Sequence, residues 1–173
     1  GYRHELATVL AWFSILERHA PPSHPSRLGD FAEYLCEPQT TDTKERAHPT
    51  QLEQEILELS QEEFDLAAFL ICSHHGKLRA RLHASIHDEE HLAKTGKLAI
   101  RGIQEGDELP ITFLRDAEGE RRTLPQSRLT LEPASLGLSK RTGRSWSERV
   151  TTLLDRYGPF SLAYLESLIR AAD

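Results

Sequence analysis

Two adjacent histidines, His74 and His75, end an apolar run in the stretch ICSHHGKLRARL, and Lys77, Arg79 and Arg81 follow at alternate positions. Imidazole is the commonest metal ligand because it is neutral near physiological pH. Neighbouring residues on a helix point about 100° apart, so both rings can reach one ion only where the helix ends. Gly76 supplies such an ending. The plain alternative is a pair of ordinary histidines favoured at a helix C-terminus by the dipole. The alternating cations suit a track for a phosphate backbone, and they equally suit a solvated edge strand, where lysine is common. His4 in GYRHEL precedes one apolar helical pattern and Asp173 closes another. An aspartate at that end is disfavoured by the dipole and calls for a cation or other partner. His83, His87 and His91 recur at every fourth position. They form either a zinc or nickel stack or, among their acidic neighbours, a solvated face. His19, His24 and His48 sit in or beside loops and carry no signal.

The elements that must position these residues are mostly helical. ELATVLAWFSILER, from Glu5 to Arg18, is apolar on all sides and predicts a buried helix. The Pro-rich HAPPSHPSRLGD breaks it, a short helix is expected over 28–36, and 38–50 reads as a polar loop. QLEQEILELS is amphipathic. SQEEFDLAAFLICSHH opens on a serine followed three residues later by glutamate, the capping-box spacing, and predicts a helix running to His75. Short alternating runs separated by turn residues then predict a small β-containing insertion over about 77–136, with DAEGE as a hairpin turn. SWSERVTTLLDRYG repeats the capping spacing at Ser145 and Glu148, and GPFSLAYLESLIRAAD predicts a final helix with Pro159 in its first turn. The fold class expected is mainly α, in one domain spanning 1–173.

The 173 residues suffice for one domain with a substantial core. No apolar stretch is long enough for a membrane span and no signal peptide opens the chain, so a cytoplasmic location is expected. Cys36 and Cys72 lack metal-ligand spacing and lie in apolar contexts, which predicts buried free thiols. A net charge of −6 argues against a general nucleic-acid coating protein while permitting a local basic channel. The chain contains no methionine and opens directly into a helical pattern, so it is expected to be a segment of a longer polypeptide.

Taken in order, RHELA, ICSHHGK.R and GPFSLAYLESLIRAAD resemble the HD-type nuclease domain of the CRISPR-associated helicase–nuclease of type I systems. SWSERV and GPFSLAYLESLIRAAD look closest to its type I-G (formerly I-U) branch, and EGDELP and LTLEP fit the same pattern. The resemblance implies an HD-domain helical bundle that holds one or two transition-metal ions and degrades single-stranded DNA. His4, His74 and His75 match the ligands of one metal and Asp173 matches the closing aspartate of the other; these four residues would be the catalytic set. Histidine-rich ligation favours Mn, Fe, Co or Ni over Mg. Lys77 and Arg79 would lie near the phosphates of the strand, with Arg81 extending the track. The implied partners are helicase domains of the same polypeptide and a Cascade-type CRISPR effector complex.

The chain departs from that family in one respect. A first histidine and a His-Asp pair are expected upstream of RHE, and the only HD dipeptide here, His87-Asp88, falls after HHGK. Two rivals follow. An HD phosphohydrolase acting on nucleotides would enclose its substrate in a cavity, whereas a nuclease would present an open groove. A degenerate, non-catalytic HD module of a CRISPR effector assembly would lack the upstream ligands altogether.

Overall fold

The computed structural model describes residues 4–35, 48–75 and 80–172. Helix α1 (His4–His19) is the axis of the core. Leu6, Val9, Leu10, Phe13 and Leu16 are all fully buried, and Ala7 and Ile15 nearly so. These positions circle the helix, as its all-round apolar character predicts. Burying one such large side chain contributes about 1.5–3 kcal/mol, so α1 holds the domain together.

Three of the helices that follow it begin with local hydrogen-bonded caps. Thr50 and Glu53 form a capping box at α3 (Gln51–Leu57), which follows the one-turn α2 (Ala32–Leu35). Ser60 and Glu63 do the same at α4 (Gln61–Ser73). Ser85 and Asp88 cap α5 (Ile86–Thr95), which ends on left-handed Gly96. Each cap satisfies helix donors that lack an internal partner.

α1 and α4 run antiparallel. Trp12 and Phe13, midway along α1, pack on Phe64 in the first turn of α4 with ring centroids 5.5 and 5.8 Å apart. His4, at the start of α1, therefore meets the end of α4. The last helix, α6 (Trp146–Ala172), opens on the expected Ser145–Glu148 capping box. It is interrupted at Gly158, whose φ of 72° and ψ of 161° suit glycine alone. Before the break, buried Arg149 pairs with Asp65 and its guanidinium lies 4.9 Å from the Phe13 ring centroid. At the break, Tyr157 hydrogen-bonds Glu62. After it, the helix runs along α4 until Arg170 reaches the carbonyl of His74.

The strands form four two-stranded antiparallel pairs rather than one sheet. β1 (Ala99–Ile100) pairs β2 (Ile103–Gln104), and β3 (Glu108–Leu109) pairs β6 (Ser127–Arg128). β4 (Thr112–Arg115) pairs β5 (Arg121–Leu124) across DAEGE, as expected. β7 (Leu138–Ser139) pairs β8 (Gly143–Arg144). The last hairpin is fastened to the loop after α1: Arg27 donates to the carbonyls of Ala20, Lys140 and Arg141. Gly143 sits so close that an added Cβ would lie 2.4 Å from the Arg27 carbonyl carbon.

The structure corrects three boundaries. The β region spans Ala99–Arg144 rather than 77–136, and the 86–95 part of the expected range is helix α5. That helix is mostly polar, and its box uses aspartate where glutamate is the usual signal, so periodicity does not reveal it. The short helix expected over 28–36 is a 3₁₀ turn, Gly29–Phe31, followed by α2. Helix α4 stops at Ser73, with His74 as its C-cap rather than its interior. The domain is mainly α, and no helix among the described residues is long and apolar enough to cross a membrane.

Candidate metal centre

His74 occupies the C-cap of α4, where its backbone N–H still bonds the Leu70 carbonyl. Its ring is buried, and Nδ1 lies 2.7 Å from the Ile71 carbonyl. A carbonyl can only accept, so Nδ1 is the donor in this contact, and in the neutral ring Nε2 is then the ligating nitrogen. This carbonyl-held imidazole is the arrangement that fixes the tautomer and orientation of metal-binding histidines.

His75 follows on the exposed side of the helix end, and His4, also exposed, opens α1 opposite. Ring centroids lie 4.1 Å apart for His74 and His75, 5.4 Å for His4 and His75, and 6.3 Å for His4 and His74. One nitrogen of each ring falls within 4.8 Å of the others, the single such group among the described residues. Two nitrogens bound to one ion at about 2.0–2.2 Å can stand at most about 4.4 Å apart. Small rotations of the exposed rings would therefore bring the three onto one ion. The donor set of three imidazoles fits a transition metal.

Neighbouring groups hold this geometry. His4 Nδ1 lies 3.3 Å from Oε2 of Glu5, which is buried. Arg170 donates through Nε to the His74 carbonyl at 2.7 Å and through Nη2 to Glu166 at 2.9 Å. The end of α6 is thus clamped to the end of α4 three residues before Asp173. Beneath, burial and the negative Glu5 push the Cys72 thiol up to about 12. It is a packing residue, the buried free thiol that its apolar context predicts.

The structure brings together His4, His74 and His75 from the predicted set. Asp173, Lys77 and Arg79 lie outside the described residues, as does Cys36. Arg81 is described and exposed. His83, His87 and His91 do not assemble: His83 precedes the Ser85 cap, and Arg101 contacts its Nε2. His24 is structural, accepting from the Ser26 N–H and approaching the Leu57 carbonyl at 3.1 Å.

Sequence reasoning missed Arg170, the Ile71 carbonyl and the Asp65–Arg149 pair. An arginine three positions before a candidate ligand, on the face that must meet α4, is the one signal that pointed to the first of these. No family model matches the chain, and neither does any curated protein or solved structure.

Proposed function

We propose that this chain is a metal-dependent HD-family phosphodiesterase, the nuclease domain that degrades single-stranded DNA in CRISPR type I interference. The observation that carries the reading is the convergence of His4, His74 and His75, from two chain segments, within ligand distance of one another. The RHE, HHGK and RAAD segments carry the family resemblance.

In this reading His4, His74 and His75 would hold the ion, with the His74 ring oriented by the Ile71 carbonyl. Asp173, the closing aspartate of the resemblance, would complete the set. Such a site would take Mn, Fe, Co or Ni, whose chemistry there would be to activate a water at neutral pH and to offset phosphate charge. Arg81, with Lys77 and Arg79, steadies the strand through sequence-independent phosphate contacts. Two of the three imidazoles are exposed, which favours an open groove for a strand over an enclosed nucleotide cavity. The partners are helicase domains and a Cascade-type complex, in the cytoplasm.

The test is metal content of the purified chain by mass spectrometry, with a His74→Ala, His75→Ala control, followed by cleavage assays on single-stranded DNA and on nucleotides. The reading expects near-stoichiometric transition metal that the control lacks, and strand cleavage that depends on it. Nucleotide hydrolysis without strand cleavage would favour the phosphohydrolase. Absence of metal after adding each ion would favour the non-catalytic module.

A further inference from the structure

Apart from the three histidines, α5 and the β1–β2 hairpin line a half-open cavity of about 390 Å³, within the size range of small-molecule sites. Its lining includes Ser85, His87, Asp88, His91 and Arg101.

Arg101 is the unusual member. It stands with Gly102 at the tip of the hairpin, with φ of 53° and 83°, the left-handed pair of a type I′ turn. Asparagine or aspartate is preferred at the first of these positions, and arginine is strained there. It is the one non-glycine residue with positive φ among the described residues. The backbone is held in this shape by Asp88, whose Oδ2 accepts from the Arg101 N–H and whose Oδ1 accepts from the Gly102 N–H, both at 2.8 Å. Oδ2 also accepts from the Ser85 N–H and hydroxyl, both at 2.7 Å. The carboxylate is therefore hydrogen-bonded to the turn and the cap rather than to the Arg101 guanidinium.

The Arg101 side chain contacts His83 through Nη2, and its Nε is buried without a hydrogen-bond partner. His91 Nε2, on the same cavity wall, is buried and unpartnered as well. The Arg101 Nε–H is a donor, and His91 Nε2 is one in the tautomer that carries its proton there, so an acceptor in the cavity would satisfy both. A cation is the wrong occupant: a guanidinium lines the space, the Asp88 oxygens are already engaged, and His87 is turned to solvent near Glu90.

We propose that this cavity is an oxyanion pocket that takes a phosphate group, bound by Arg101 and His91, with His83 positioning the guanidinium. Strain retained at a turn for the sake of a side chain is the mark of a functional position. The phosphate can belong to a nucleotide or to a nucleic-acid strand, and the pocket stands independently of the metal centre.

The test is titration of the purified chain with inorganic phosphate, followed by the histidine side-chain ¹⁵N resonances, and then with AMP and a short single-stranded oligonucleotide. Arg101→Gly keeps a residue suited to positive φ, so the turn survives the substitution. Arg101→Gly and His91→Ala are each expected to weaken phosphate binding by about tenfold or more, the worth of one charge-assisted hydrogen bond. The His74→Ala, His75→Ala variant is expected to bind phosphate like the wild type, which separates this site from the metal reading. Tighter binding of the oligonucleotide than of AMP assigns the pocket to a strand, and the reverse assigns it to a nucleotide. Absence of saturable phosphate binding, or an Arg101→Gly protein that binds as tightly as wild type, would overturn the proposal.

Discussion

Asp88→Asn tests the capping and turn network of α5 quantitatively. Asp88 is 5% exposed, and its two oxygens accept four donors, from Ser85, Arg101 and Gly102. Burial alone would raise its pKa, but these hydrogen bonds outweigh it and hold the carboxyl down at about 2 against an ordinary 3.8. A difference of that size, at 1.36 kcal/mol per pH unit, is worth about 2 kcal/mol. The folded state binds the proton more weakly than the unfolded chain does. The stabilisation is therefore complete above about pH 5 and disappears as the pH falls through 4 towards 2. Asparagine keeps one acceptor oxygen but replaces the other with a donor that faces donors. The variant should unfold about 2 kcal/mol more easily at pH 7, lowering Tm by roughly 4–8 °C. Urea unfolding at pH 7, 5, 4 and 3 reads the effect, and the gap between the two proteins should close across the acid range. A gap unchanged between pH 5 and pH 3, or below about 0.5 kcal/mol at pH 7, would refute the reasoning.

Two further outcomes follow from the buried groups. Asp65→Ala leaves Arg149 in the core without its carboxylate, and unfolding measurements should show a loss of about 3–5 kcal/mol. The double change Asp65→Leu, Arg149→Met should be milder than Asp65→Ala, because it removes the fully buried guanidinium and leaves only Arg144, the less buried partner of Asp65, without its carboxylate. Cys72 should resist iodoacetamide at pH 8 in the folded protein and react once urea unfolds it, since burial and Glu5 keep it a thiol; peptide mass spectrometry distinguishes the two.

Much of the fold was legible because its signals are local. Ser60–Glu63 and Ser145–Glu148 are capping boxes made between residues three apart, and both form as read. The all-round apolar pattern of α1 predicted its burial, and DAEGE predicted the β4–β5 turn. Helix α5 was hidden because its cap ends in aspartate and its composition is polar, so neither period nor box stood out. The short strands gave too few residues for alternation to mark where the β region ends.

The candidate centre divides along the same line. The sequence by itself determined that two histidines would stand at the end of α4 and one at the start of α1. Those positions follow from hydrophobic periodicity and helix punctuation within a few residues. Resemblance, rather than spacing, suggested that they belong together. Only the tertiary structure decided that they meet, because the antiparallel packing of α1 on α4 sets the start of one helix against the end of the other. The same packing seats Arg149 on Asp65, 84 residues away, and Arg170 on the His74 carbonyl, 96 residues away. No local pattern encodes such pairs, since they depend on how buried helix faces interdigitate once the whole core has formed.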